Sequence, residues 1–165
     1  MAIRLEGSCR CGAVRFSLDS QSPQPYQLCY CTICRKTAGG GGFAINIMGQ
    51  TNGMSIQGND ALRIYQAEIC EDDGTNCKIS TGQRNFCSHC ASALWMYHPE
   101  WPDFIYPFAS AIDTDLPTPP ERVHGFLRYK ASWVVPAVGV HDQCFDRYSG
   151  LSIEDWHKQR GLWVT

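Results

Sequence analysis

The sequence predicts a mainly β fold, and three observations predict it. Short runs of alternating apolar and polar residues recur along the chain, each bounded by turn-forming residues. Fifteen glycines and nine prolines punctuate 165 residues, of which 12% are aromatic, a composition suited to short strands and turns rather than long helices. Only one stretch, near the C-terminus, carries both a start and a stop signal for a helix.

Taken in order, residues 1–18 alternate as a strand pair interrupted by a turn at Cys9–Gly12. Residues 19–28 are loop-like and lead into a second cysteine group. Gly39 to Gly42 are four consecutive glycines, which exclude a helix or strand interior there. They form either a flexible turn or a close backbone approach to a ligand. Strands are expected at 43–48, 54–57 and 61–67, the last two joined by the turn signal Gly58-Asn59-Asp60. After the loop 71–77, strands resume at 78–80, 84–86, 93–97, 104–112 and 123–129, with proline-rich connectors at 98–103 and 116–122. Ser152 followed by Glu154 and Asp155 reads as an N-cap with an acidic first turn. The helix expected from it covers about residues 152–160 and stops at Gly161. Trp156 and Trp163 are expected to pin this tail to the body.

The length suits one domain with a full core, over residues 1–165. A net charge of −2 with 18% charged residues gives no electrostatic footprint for nucleic acid or an acidic membrane. No segment approaches 18 consecutive apolar residues, and the N-terminus has no apolar run of the kind a signal peptide needs. The expectation is a cytoplasmic, reducing setting, in which clustered cysteines read as metal ligands or catalytic thiols before disulfides.

There are ten cysteines, and seven fall into three groups: Cys9-Arg10-Cys11, Cys29-Tyr30-Cys31-Thr32-Ile33-Cys34, and Cys87-Ser88-His89-Cys90. Zinc takes four such ligands in a tetrahedron, and seven thiols divide naturally into four and three. Neither Cys9/Cys11 nor Cys87/Cys90 closes a site alone. Together they make a four-cysteine structural site. The middle group supplies three ligands locally and leaves a fourth position for water or substrate, the mark of a catalytic zinc. The competing reading closes that position with Cys70, Cys77 or a histidine. Cys70 and Cys77 read first as ordinary thiols, with a local disulfide or an active-site thiol as alternatives, and Cys144 as a buried or free thiol. His89, His98, His124, His141 and His157 have no zinc-protease spacing and read as structural or solvated. No phosphate loop is visible.

The order and spacing of these motifs resemble the glutathione-dependent formaldehyde-activating (GFA) family of carbon–sulfur lyases. The resemblance rests on Gly7-Ser8-Cys9-Arg10-Cys11-Gly12-Ala13-Val14, Cys29 through Lys36, and Phe86-Cys87-Ser88-His89-Cys90, with softer matches at Leu62–Tyr65 and Lys130-Ala131-Ser132-Trp133. It covers about residues 5–135 and leaves 136–165 as a C-terminal extension. It implies a β-tent of packed antiparallel sheets, two zinc ions per chain, and the same ligand division: Cys9, Cys11, Cys87 and Cys90 structural, Cys29, Cys31 and Cys34 catalytic. The archetypal activity joins glutathione to formaldehyde. Two positions depart from the family pattern. Tyr30 stands where the family has His, read here as a proton-carrier position beside the metal. Ala91 stands where the family has Gly, and fits there if its backbone angles are ordinary.

Zinc lowers the pKa of a bound thiol, so the expected function is a carbon–sulfur lyase or thiol-adduct enzyme using glutathione or a related thiol as its partner. The alternative is a non-catalytic zinc module that binds glutathione or a protein. Arg35 and Lys36 are candidates to neutralise a glutathione carboxylate, or are solvated surface charges. Trp95, Tyr97 and Trp133 are candidates to line a substrate pocket, or are core aromatics.

Overall fold

A computed structural model describes residues 1–165. Its strands are β1 (Ile3–Ser8), β2 (Arg15–Ser20), β3 (Gln27–Cys29), β4 (Ala44–Ile45), β5 (Gly49–Gln50), β6 (Ser55–Gln57) and β7 (Leu62–Tyr65) in the first half. They continue with β8 (Glu68–Ile69), β9 (Lys78–Ile79), β10 (Gln83–Cys87), β11 (Ala93–Tyr97), β12 (Phe104–Pro107), β13 (Val123–Gly125) and β14 (Gln143–Cys144). Two short helices, α1 (Thr32–Thr37) and α2 (Ile153–Gln159), complete the set. The class is mainly β, as the sequence predicts.

The strands form sheets in the orders β1-β2-β6, β5-β12-β11-β10-β7, β14-β13-β3-β4 and β8-β9. The first, second and last are antiparallel throughout. The third departs from the expected antiparallel pattern, because β13 pairs in parallel with both β3 and β14. Parallel neighbours need long connections, and here nearly a hundred residues separate β3 from β13.

The β1–β2 hairpin buries Leu5, Val14, Phe16 and Leu18, which alternate with exposed or half-buried neighbours as the period of a half-buried strand requires. Phe16 meets Trp95 of β11 edge-on at 5.0 Å between centroids. Val14, Phe16, Leu18 and Trp95, with Leu94, Ile105 and Ala111, make the main core, and Cys9 and Cys87 belong to the same cluster. The four-cysteine group is therefore continuous with the core.

The C-terminal segment is built onto this body. Ser152 caps α2, its Oγ accepting from the Asp155 N–H at 3.0 Å. Trp156, 1% exposed, stacks on Tyr26 at 3.6 Å, and the Arg160 guanidinium lies over its other side. Trp163 stays half-buried under Lys158. Trp156 thus anchors the tail, and Trp163 contributes less.

Several expectations are corrected. Residues 27–29 form a strand rather than loop, because they are held between β13 and β4. Residues 32–37 form a helix the sequence pattern does not signal, because its cap is a sulfur: Cys31 Sγ accepts from the Cys34 N–H. The strands expected over 104–112 and 123–129 are cut short by 3₁₀ turns. Cys70 and Cys77 are joined by a disulfide across the β8–β9 hairpin instead of standing as free thiols. The hairpin's turn carries Asp72, whose carboxylate accepts from the Tyr129 hydroxyl at 2.6 Å and pairs with Arg128 and Arg147.

Ala91 has φ +61°, in the left-handed region, so its angles are not ordinary. The knuckle turn sets this conformation, with the Ala91 N–H bonded to the Cys87 carbonyl. A Cβ in this region costs about 1–2 kcal/mol. Ala91→Gly is therefore expected to stabilise the fold by about 1 kcal/mol, measured by chemical denaturation, and an unchanged midpoint would contradict the strain. Trp156→Ala is expected to cost about 3–5 kcal/mol in the same assay. A loss below about 1 kcal/mol would show that the tail is not anchored there.

Candidate metal centres and active site

The four-cysteine group is assembled by two turns. The turn between β1 and β2 presents Cys9 and Cys11, and the turn after β10 presents Cys87 and Cys90. All four sulfurs lie within 4.8 Å of one another. Cys9 and Cys11 are 3.6 Å apart, and Cys11 and Cys87 are 3.8 Å apart. A zinc tetrahedron with Zn–S of about 2.3 Å needs sulfur spacings of about 3.8 Å, so the cluster fits that ion. Backbone and hydroxyl groups favour thiolate at Cys9 and Cys90, whereas at Cys11 the Ala13 backbone favours thiolate but the neighbouring sulfurs push the thiol up to about 11. The Val14 N–H donates to Cys9 Sγ at 3.2 Å. The Ser92 hydroxyl and backbone hold the Cys90 thiol down to about 5.

The second group gathers Cys29, at the end of β3, with Cys31 and Cys34 at the start of α1, again within 4.8 Å. Hydrogen bonds from Cys29 and Cys34, and from the Cys34 and Ile33 backbone, push the Cys31 thiol strongly down. Cys31 and Cys34, together with burial, push the Cys29 thiol strongly up. One thiolate at this spacing opposes the next unless a cation is shared among them, so the donor set suits a soft divalent metal such as zinc. Cys70, Cys77 and the histidines do not join this group. The disulfide joins the first two, so the group consists of three thiols.

Tyr30 does not sit beside the sulfurs. Side chains alternate along an extended segment, so with Cys29 and Cys31 on one side, Tyr30 turns to the other. It is 1% exposed, packed with Leu28 and Val134. Its hydroxyl lies 3.0 Å from His124 Nδ1, and His124 Nε2 lies 3.1 Å from Asp142 Oδ2. A carboxylate can only accept, so Nε2 carries the proton and Nδ1 accepts from the phenol. The Gly139 and Arg122 N–H groups hold the Asp142 carboxyl down to about 2. The proton-carrier reading of position 30 is thus corrected: Tyr30 braces the ligand strand from behind.

The face of the three-cysteine group opposite Tyr30 opens into a cavity of about 550 Å³ with 16 lining residues. Arg84 on β10 enters it. Its two terminal nitrogens lie 3.7 and 3.6 Å from Cys34 Sγ. Sequence reasoning missed Arg84, although a signal exists. It lies three residues before Cys87 on a strand, an odd offset that sends it to the opposite face from that ligand.

Arg35, Lys36, Trp95 and Trp133 do not line this cavity. Trp95 is a core residue, 3% exposed, and Trp133 is 68% exposed on the surface. Arg35 and Lys36 lie with Arg10 in a separate polar cleft of about 720 Å³, which runs past Cys9 to Gly39 and Gly40. A third cavity borders both, with Arg84 in common with the first and Thr37, Ala91 and Ala93 in common with the second. The glycine run is a turn, with the Gly42 N–H bonded to the Gly39 carbonyl and Gly42 at φ +90°. A Cβ at Gly39 would lie 2.2 Å from the Phe43 carbonyl oxygen.

Residues 4–128 match the family model described as glutathione-dependent formaldehyde-activating enzyme. The chain belongs to this family. A protein of Halomonas elongata named "Putative glutathione-dependent formaldehyde-activating enzyme" is 54% identical over 158 residues, covering 96% of this chain and 97% of that one. The crystal structure of a Rhodobacter sphaeroides protein has the same fold, with a TM-score of 0.50 at 21% identity, over 68% of this chain and 91% of that chain. The family match ends before the segment that contributes Tyr148, Ser152, Ile153 and Glu154 to the cavity wall.

Removing the Tyr30 hydroxyl leaves the His124 acceptor buried without a partner, a cost of about 1–3 kcal/mol. Tyr30→Phe is expected to lose that much stability on denaturation while Cys29, Cys31 and Cys34 still retain metal. A variant that loses metal from this group at unchanged stability would return Tyr30 to the metal side.

Proposed function

We propose that this protein is a zinc-dependent carbon–sulfur lyase that makes or breaks the bond between a thiol, glutathione or a relative of it, and a carbonyl carbon. The reading is carried by one observation: three convergent thiols open onto a cavity that also receives a guanidinium. Cys9, Cys11, Cys87 and Cys90 hold a structural zinc, and Cys29, Cys31 and Cys34 hold a catalytic one.

Bound zinc at the three-cysteine site supplies Lewis acidity that favours the thiolate form of a substrate thiol at neutral pH. The remaining work falls to the chain's own groups. In the synthetic direction the thiol sulfur adds to the carbonyl carbon, a carbon–sulfur bond forms, and the C=O π pair moves to oxygen. The proton lost by the thiol ends on that oxygen, giving a hydroxyl. Arg84 is placed to donate to the oxygen as its negative charge develops, and such a donor acts most strongly where water is excluded. In the lyase direction the same steps run backwards. Arg10, Arg35 and Lys36 supply positive charge for the carboxylates of a glutathione-like thiol, and the third cavity, lined by Thr37 of that cleft and by Arg84 of the cysteine cavity, borders both.

The loss of each metal separates the two sites. A structural zinc contributes about 10–16 kcal/mol against a whole-domain stability of about 5–15 kcal/mol. Cys87→Ser is therefore expected to give unfolded protein. Cys34→Ser is expected to stay folded by circular dichroism, with one zinc per chain by elemental analysis instead of two. The reverse pattern would exchange the two roles. Arg84→Met keeps the stem and removes the donor. It is expected to lower kcat/KM for thiol-adduct turnover by about 10²–10³ with zinc content unchanged, followed by NMR with labelled formaldehyde and glutathione. Absence of any turnover by the two-zinc wild-type protein, with formaldehyde or with larger aldehydes, would overturn the enzymatic reading.

A further inference from the structure

The cavity over Cys29, Cys31 and Cys34 does not match a one-carbon carbonyl partner. Its volume is about 550 Å³, and 11 of its 16 lining residues are hydrophobic, the three cysteines included. The walls come from distant parts of the chain: Met48 after β4, Met96 on β11, Trp101 and Phe104 at the start of β12, and Tyr148 and Ile153 from the C-terminal segment.

The thiol carrier does not account for this space either. Glutathione carries two carboxylates and an ammonium group, and each is costly to remove from water without a partner. The cavity offers only two charged side chains, Arg84 and Glu154. Glu154 is already paired with Lys158 one helical turn away, and Arg84 is drawn to Cys34 Sγ. The polar cleft has the opposite character: Arg10, Arg35 and Lys36 face one carboxylate, Asp113, which already accepts from the Ser8 hydroxyl at 2.6 Å. The molecule thus has a charged cleft and an apolar cavity, both bordered by the space beside Arg84, with the three cysteines in the apolar one.

From this division we infer that the carbonyl component of the substrate carries a large apolar group, aromatic or branched aliphatic, and that this group occupies the cavity over the three cysteines. This inference rests on the thiol-adduct reading and names the substrate class of the same site. The reaction balances as before. The thiol sulfur bonds to the carbonyl carbon of an aldehyde bearing that group, and the thiol proton ends on the new hydroxyl; cleavage returns thiol and aldehyde. The C-terminal segment then sets specificity, because Tyr148 and Ile153 lie beyond the residues matched by the family model.

Stable thioethers test the inference without turnover. S-methylglutathione and S-benzylglutathione share the tripeptide and differ in the group that would enter the cavity. Titration calorimetry on the zinc-loaded protein is expected to find the benzyl compound at least tenfold tighter. Tenfold is about 1.4 kcal/mol, which needs only about 60 Å² of apolar surface removed from water at about 25 cal/mol/Å². Trp101→Ala and Tyr148→Ala, at exposed wall positions and checked for folding by circular dichroism, are each expected to reduce that preference by weakening S-benzylglutathione binding. Equal affinities in the wild type would overturn the inference and leave the glutathione reading standing. A preference that survives both substitutions would place the benzyl group elsewhere and also overturn it. Binding of neither thioether would overturn the thiol-adduct reading and the inference with it.

Discussion

The sulfurs of Cys9, Cys11, Cys87 and Cys90 meet at the margin of the main core, and the rest of the structure is organised by that meeting. Cys11 and Cys87 are 76 positions apart, so drawing them together closes a long loop at an entropic cost. Cys9 and Cys87 are also members of the apolar cluster that holds Phe16, Leu94 and Trp95. The hydrophobic packing that joins the β1–β2 hairpin to the five-stranded sheet is what brings the thiols within reach of one another. A metal bound there would join two turns that the core has already aligned.

Strand β10 carries the consequence to the second centre. It runs from Gln83 to Cys87, with a ligand of the four-cysteine group at one end and Arg84, against Cys34, near the other. The two groups are therefore joined by three residues of extended backbone. That strand lies in the interior of its sheet, paired with β7 and β11, which limits how far Arg84 can move relative to the cysteines. Opposite it, the ligand strand β3 is fixed by its parallel pairing with β13 and by the buried Tyr30–His124–Asp142 chain of hydrogen bonds. The three thiols are held from behind by polar contacts and face an apolar space in front.

In the proposed reading, this arrangement separates charge recognition from apolar recognition. A guanidinium is worth more beside apolar surface than in bulk water, and the walls around Arg84 are largely hydrophobic. Carboxylates bind at lower desolvation cost in an open cleft lined by several cations, and Arg10, Arg35 and Lys36 provide one. The cation candidates Arg35 and Lys36 were legible from their position after the second cysteine group. The cleft they share with Arg10 was not, because it depends on how α1 packs against the first turn.

What the sequence determined by itself is the chemistry that depends on spacing along the chain. The three cysteine groups, the β1–β2 hairpin, most of the strands and the Ser152-capped helix follow from local turn chemistry, period-two alternation and capping, all of which act over a few residues. The short pairings β3–β13 and β13–β14 had no local signal, since a strand of two or three residues is stabilised only by its neighbours. The same limit explains the site. Tyr30 was read as facing the metal because sequence adjacency does not show on which side of a strand a residue falls once its neighbours are fixed. Trp95 and Trp133 were equivalent as candidates, yet packing buried one in the core and left the other in solvent. Arg84, Met48, Met96, Trp101 and Tyr148 converge from two strands of one sheet, from separate connections and from the C-terminal segment. Only tertiary packing could choose them, because the cavity they form exists as a space between elements and is encoded in none of them alone.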